Sequence, residues 1–289
     1  MFLEALESNS LSVQKHIDNY ISQWNDSILI DAMRYALNGG KRLRAYLVVK
    51  SASLFDIPFE QSVWPACGIE AIHAYSLVHD DLPSMDNDDV RRGKQTVHRK
   101  WDEATAILTG DALQSLGFEF VLNEACSPDA FVRAKLALKL SQAAGGQGMV
   151  LGQAMDIAAE KSANPLSLVQ ITKLQREKTG ALIAWSSLAG AILAKEDAIN
   201  LNLYANSIGL AFQIADDIID VEGDSKLAGK KLKKDKKAGK ATFVSLLGLE
   251  NAKSEAKRLV EQACDSISTF GVVSEDLKRC AQFIISRDR

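Results

Sequence analysis

The chain has 289 residues, with 34 Lys plus Arg against 37 Asp plus Glu, a net charge of -3, and 47% hydrophobic residues. That balance excludes a disordered tail and a generally basic nucleic-acid binder. No stretch reaches the ~18 consecutive apolar residues of a membrane span; the longest, Ala181 to Ala194, carries two serines and charged flanks at Lys178 and Lys195, as a buried core helix would. The start, Met1-Phe2-Leu3-Glu4, lacks a basic-then-apolar export pattern. Cys67, Cys126, Cys264 and Cys280 are scattered without C-x-x-C spacing, which fits a reducing, cytoplasmic setting.

In chain order, helical segments alternate with short breaks. Asn38-Gly39-Gly40 closes the first region, after which Leu43, Leu47 and Leu54 share a stripe. Asp56-Ile57-Pro58 precedes a segment with Ile69 and Ile72 on one face, ending near Pro83. Ser127-Pro128-Asp129 reads as a helix start with Pro at the first helical position, and Leu136 and Leu140 continue it. Gly145-Gly146 and Asn164-Pro165 follow as breaks; Leu201, Tyr204, Ile208 and Ala211 form a further stripe. The last breaks are Glu222-Gly223-Asp224 and Ser266 to Gly271. Period-2 alternation bounded by turns is absent, so no sheet is expected. The reading is one all-α domain over 1–289, of about ten to twelve helices, with no linker and no internal repeat.

Two acidic clusters interrupt this pattern. Asp80, Asp81, Asp86, Asp88 and Asp89 follow the apolar segment Ile72 to Val78; Asp216, Asp217, Asp220, Glu222 and Asp224 follow Ile208 to Ala215. Solvated acidic faces alternate with lysine at helical spacing, which these do not. Asp216 and Asp220, four apart, lie about 40° apart around a helix, so their carboxylates can converge on one ion. Asp217 is about 100° away and supports them. In the first cluster, six residues separate Asp80 from Asp86, about 240° on a straight helix. Pro83 breaks the helix and lets Asp86 swing back. Acids near helix C-termini oppose the macrodipole unless a cation compensates, and oxygen-only ligands suit Mg²⁺. Either cluster alone would also fit a solvated helix end.

Basic residues answer them. Gly39-Gly40-Lys41-Arg42-Leu43-Arg44 joins a glycine turn to a helix start, with Lys41 and Arg44 on one face able to clamp a diphosphate. Arg91-Arg92 directly follows the first acidic cluster, and Lys178-Thr179 precedes the long apolar helix. Lys226 to Lys240 holds eight lysines. That run reads as a solvated loop, as an anionic-lipid or nucleic-acid patch without interleaved aromatics, or as a lid reaching polyphosphate.

These ordered motifs resemble the trans-isoprenyl diphosphate synthases, most closely the bacterial farnesyl diphosphate synthases. The anchors are Gly39 to Arg42, Ile72 to Pro83, Met85 to Asp89, Arg91-Arg92-Gly93, Gly110 to Leu113, Gly152-Gln153, Lys178-Thr179-Gly180 and Phe212 to Asp217, spanning essentially the whole chain. The resemblance implies a helical bundle around a deep central cavity, the isoprenoid synthase fold, in a homodimer. It implies three Mg²⁺ ions, with Asp80, Asp86 and Asp216 as direct ligands and Asp81, Asp217 and Asp220 nearby. It further implies isopentenyl diphosphate on Gly40, Lys41, Arg44, His73 and Arg92. Allylic dimethylallyl or geranyl diphosphate falls on Arg91, Lys178, Thr179, Gln213, Lys230 and Lys240. Asp80, Asp81, Asp86, Arg91, Lys178, Asp216, Asp217 and Lys230 form the catalytic set; no nucleic acid or integral membrane segment is involved. Tyr75, five residues before the first motif, takes the chain-length role by resemblance, with a C15 product, whereas helix geometry alone favours Ser76. Three positions depart from the pattern: Gln95 and Val244 where proline is frequent, and Lys233 where glycine is usual. Geranyl or geranylgeranyl synthesis and a non-catalytic partner subunit are the alternatives.

Overall fold

Local capping chemistry sets many of the helix starts. Ser27, Asp102, Asp129 and Ser167 each accept a backbone N–H from the first turn that follows. Ser167 with Gln170 and Thr242 with Ser245 complete reciprocal capping boxes. The structure, a computed structural model, describes residues 2–162, 164–222 and 241–287. Its elements are α1 (Phe2–Ile21), α2 (Ile28–Leu37), α3 (Leu43–Ser53), α4 (Phe59–Asp80), β1 (Val90–Arg91), β2 (Lys94–Gln95), α5 (Val97–Lys100) and α6 (Glu103–Leu122). Then come α7 (Ala130–Ala144), α8 (Met149–Glu160), α9 (Leu168–Gln175), a π-helical turn (Arg176–Gly180), α10 (Ala181–Ala194) and α11 (Ile199–Glu222). The described chain closes with α12 (Phe243–Leu247), α13 (Leu249–Ser266), a 3₁₀ segment (Ser268–Ser274) and α14 (Glu275–Ser286). Twelve of these α-helices have eight residues or more, in keeping with the all-α expectation.

Two expectations needed correction. Helix α7 begins at Ala130 rather than Pro128, because the Asp129 carboxylate takes the cap and receives the Phe131 N–H at 2.8 Å. A small antiparallel hairpin pairs Val90 with Gln95 and Arg91 with Lys94 where no sheet was expected. Two residues per strand are too few to show alternation. The hairpin follows from its turn, where Arg92 and Gly93 both have positive φ, 53° and 74°. That is the geometry required of a two-residue type I′ connection.

Packing is close where side chains are small. Helices α3 and α10 cross at Gly190, where a Cβ would lie 2.2 Å from the Ser51 carbonyl carbon; the Gly190 N–H donates to Ser51 Oγ at 3.1 Å. Trp185 Nε1 donates to the Leu136 carbonyl at 3.1 Å, tying α10 to α7, and Tyr204 donates to the Leu277 carbonyl at 2.7 Å, tying α11 to α14. Buried apolar side chains form two clusters, one centred on α4 and α6, the other on α11, α13 and α14. Helix α4 thus delivers Asp80 at its end, and α11 carries Asp216, Asp217 and Asp220 in its final turns.

Candidate active site

At the end of α4 the chain turns back on itself. The Leu82 N–H reaches the His79 carbonyl at 3.2 Å, Met85 reaches Leu82 at 2.9 Å, and the Asp86 N–H reaches the Asp80 carbonyl at 2.8 Å. The turn at Pro83 therefore brings Asp86 beside Asp80, as the spacing argument required. Burial pushes the Asp80 carboxyl up to about 6; Lys178 opposes that rise and Asp86 adds to it. Among the described residues, the nearby cations Lys178 and Arg91 do not offset the cost of that burial.

Asp81 behaves differently. It is buried, and Arg91 holds it in a fork: Nε donates at 2.8 and 2.9 Å to the two oxygens, and Nη2 lies 2.6 Å from Oδ1. The hairpin aims the guanidinium, so Asp81 and Arg91 act as one rigid unit. The neighbouring Arg92, in the turn, lies against Gly40. A Cβ at Gly40 would meet its Cζ at 2.8 Å, and Arg92 Nη1 donates to the Gly39 carbonyl at 3.3 Å. Gly40 serves both needs of the loop, a φ of 85° and room for a guanidinium.

Behind this loop lies a basic recess. Burial drives the His73 imidazole well below its ordinary value, and Arg44, Arg92 and Arg91 push it further, so the ring is neutral at pH 7. Burial also lowers Arg44, with Glu70 opposing; Arg44 Nε is buried and makes no hydrogen bond within the described chain. Buried donors of this kind are usually satisfied, so the recess suits an anion. The Lys41 ammonium lies 5.2 Å from the Phe283 ring centroid.

The second aspartate group divides in the same way as the first. Asp216 Oδ1 accepts from Arg287 Nη2 at 2.9 Å, while the same guanidinium lies 3.9 Å from the Phe212 ring centroid. Asp217 is buried and accepts the Phe243 N–H at 2.6 Å, capping α12. Asp220 follows one turn after Asp216, and Gln213 is buried one turn before Asp217. Among the described residues no three of His, Cys, Asp or Glu converge closely enough to hold an ion by themselves.

Lys178 and Thr179 occupy the π-helical turn between α9 and α10, a local irregularity the sequence reading did not anticipate. Lys178 Nζ donates to Asp156 Oδ2 at 2.7 Å. Tyr75 is buried, its ring 5.9 Å from the His79 imidazole, whereas the Ser76 hydroxyl turns back to the His73 carbonyl at 2.9 Å. Lys230 and Lys240, with Lys233 and the rest of the lysine run, lie outside the described residues. Sequence reasoning missed Glu70, Asp156 and Arg287. A carboxylate inside the apolar segment before Asp80, an acid one turn after Gly152, and a cation beside the C-terminus were the available signals.

The polyprenyl synthetase family profile matches residues 26–277. The chain is 40% identical to the farnesyl diphosphate synthase of Escherichia coli strain K12, covering 100% of this chain and 99% of that protein. A crystal structure of an FPP/GFPP synthase from Zymomonas mobilis superposes with a TM-score of 0.88 at 46% identity, covering 97% of this chain and 99% of the other. A geranyltransferase from Helicobacter pylori, solved with magnesium and isoprenyl diphosphate, gives a TM-score of 0.81 at 32% identity over 99% of this chain and 96% of that one. With full-length likeness in both sequence and fold, the chain belongs to the polyprenyl synthetase family.

Proposed function

We propose that this prenyltransferase condenses isopentenyl diphosphate with dimethylallyl and then geranyl diphosphate, giving (2E,6E)-farnesyl diphosphate and diphosphate. The observation that carries this reading is the division of labour at the mouth. Asp80 and Asp216 present partly exposed carboxylates and Asp86 an exposed one, while Asp81 and Asp217 are committed to Arg91 and to the α12 N-terminus.

The three presented carboxylates fit Mg²⁺, three ions by family resemblance, with Asp220 as a neighbour. When bound, Mg²⁺ would neutralise the diphosphate as it departs. Arg91 and Lys178, with Thr179 and Gln213, hold the allylic diphosphate from the protein side. Lys230 and Lys240 are proposed for the same subsite. Gly40, Lys41, Arg44, His73 and Arg92 hold isopentenyl diphosphate, whose charge satisfies the unpaired Arg44 Nε. A neutral His73 donates to that anion without becoming a base. The allylic cation forms away from water, the double bond of isopentenyl diphosphate attacks it, and the departing diphosphate takes the proton.

Tyr75 is proposed as the floor of the cavity. The Ser76 hydroxyl is spent on its own helix, and Tyr75 is the bulkier group. The alternatives are geranylgeranyl or geranyl diphosphate; the Zymomonas relative is an FPP/GFPP synthase. A non-catalytic partner subunit is disfavoured by two intact aspartate motifs. We also propose a homodimer, supported by Ile107, Leu108 and Leu122 on α6 with Phe131 and Leu138 on α7, all exposed apolar residues. Four cysteines, none in a disulfide, support a cytoplasmic setting. Incubation with dimethylallyl and isopentenyl diphosphates in Mg²⁺ buffer, followed by product sizing, tests the reading. A Mg²⁺-dependent C15 alcohol after phosphatase treatment is expected, and no prenyl product would refute it.

A further inference from the structure

Lys178 faces a choice of carboxylates. Its charge is felt by Asp80, yet its ammonium binds Asp156 on the opposite helix α8, at 2.7 Å, with the two side chains 29% and 16% exposed. An ammonium released from Asp156 would be drawn to Asp80 and Asp86, the carboxylates proposed for metal. It would compete there with the cation and leave the diphosphate without its partner. The backbone supports the same geometry. Lys178 lies in the π-helical turn, and its backbone packs against α8 at Gly152, one turn before Asp156, where a Cβ would lie 2.1 Å from the Lys178 nitrogen. Turns of this kind frequently mark functional sites.

We infer that Asp156 is a positioning residue, which holds the Lys178 ammonium at the mouth of the cavity and off the metal-binding carboxylates. The inference rests on the function proposed above. Asp156 touches neither substrate in this reading; it acts through Lys178.

The test compares Asp156→Asn, Asp156→Glu, Lys178→Gln and the double variant D156N/K178Q, each with a melting curve to establish folding. Misplacement of a binding group by about 1 Å costs about 100-fold. D156N should therefore lose about that factor in kcat/KM for geranyl diphosphate, while KM for isopentenyl diphosphate changes by less than about twofold. D156E should recover part of the loss. In the K178Q background, D156N should add less than about threefold, because the two residues work as one unit. Near-normal kinetics of D156N, or a full additional loss on top of K178Q, would overturn the inference. If D156N does not fold, D156E decides: a folded D156E with losses spread equally over both substrates counts against it. Affinity for inorganic pyrophosphate in Mg²⁺ buffer needs no turnover and should fall in D156N. A wild-type chain that binds pyrophosphate but makes no product would count against the proposed function, not against the pair.

Discussion

Gly152→Ala probes the π-helical turn with the smallest available change. The added Cβ would sit 2.1 Å from the Lys178 nitrogen, 2.4 Å from its Cα and 2.7 Å from its Cβ. Two of these atoms belong to the backbone, so no side-chain rotation relieves the clash. Ordinary contact begins near 3.4 Å, so the two helices must separate by more than 1 Å. Overpacking of this kind costs about 1–3 kcal/mol, which for a chain of this size lowers Tm by a few degrees, at about 2–4 °C per kcal/mol. The effect on chemistry should be larger. Displacing Lys178 by about 1 Å predicts a loss of about 100-fold in kcat/KM for geranyl diphosphate. Alanine is a better helix former than glycine by about 1 kcal/mol, so any propensity effect runs in the opposite direction and cannot imitate the loss. Differential scanning fluorimetry and steady-state prenyl transfer measure the two quantities on one preparation. Unchanged Tm with activity within about threefold of wild type would show that the close approach of α8 to the turn is not required, and the reasoning would fail.

Asp80→Asn should alter the pH dependence of stability in metal-free buffer. The folded carboxyl is pushed up to about 6 from 3.8, so ionised Asp80 destabilises the fold above about pH 6 and that cost disappears as pH falls through 3.8. At 1.36 kcal/mol per unit the ceiling is about 3 kcal/mol; urea denaturation in EDTA should find D80N the more stable at pH 8, with the advantage gone near pH 4, and a pH-independent difference would refute this. Tyr75→Ala should shift the product from C15 towards C20 and cost about 3 kcal/mol of stability; an unchanged C15 product removes Tyr75 as the floor. Arg287→Gln frees Asp216 from its ion pair, and because Asp216 is 38% exposed the pair is worth about 1 kcal/mol at most. Calorimetry should then show Mg²⁺ binding up to about fivefold tighter, and equal or weaker binding would argue against competition.

Much of this architecture was legible because helices leave long, regular traces. The break at Asn38-Gly39-Gly40, the buried helix Ala181 to Ala194 and the return of Asp86 beyond Pro83 follow from periodicity and from proline's missing N–H. The hairpin at Val90 to Gln95 was not legible, since its cause is a conformation at Arg92 that no residue pattern announces. The extra residue in the turn at Lys178 was hidden for a related reason: one inserted residue shifts the helical phase by about 100° without changing composition. Pairings across the fold were hidden most completely. Asp156 and Lys178 stand 22 residues apart, and Asp216 and Arg287 stand 71 apart. The motifs named Asp81 and Asp217 beside their neighbours, but only their partners distinguish carboxylates that hold the scaffold from those that remain presented.

Those pairings also explain how a highly charged mouth is stable before any ligand arrives. Uncompensated acids near the ends of α4 and α11 would repel one another and oppose the helix dipoles. Among the described residues three carboxylates in this region are held by an internal cation: Asp81 by Arg91, Asp156 on α8 by Lys178, and Asp216 by Arg287. These are not equivalent. The Arg91 pair is forked and its carboxylate is buried, so breaking it would strand a charge, and it should persist throughout turnover. The Asp216 pair has one exposed carboxylate and a single contact, so it can exchange its partner at little cost. Among the described residues Asp80 has no such ion pair, and burial raises its pKa. Binding an anion together with its cations therefore replaces weak internal pairs while leaving the strong one as the frame.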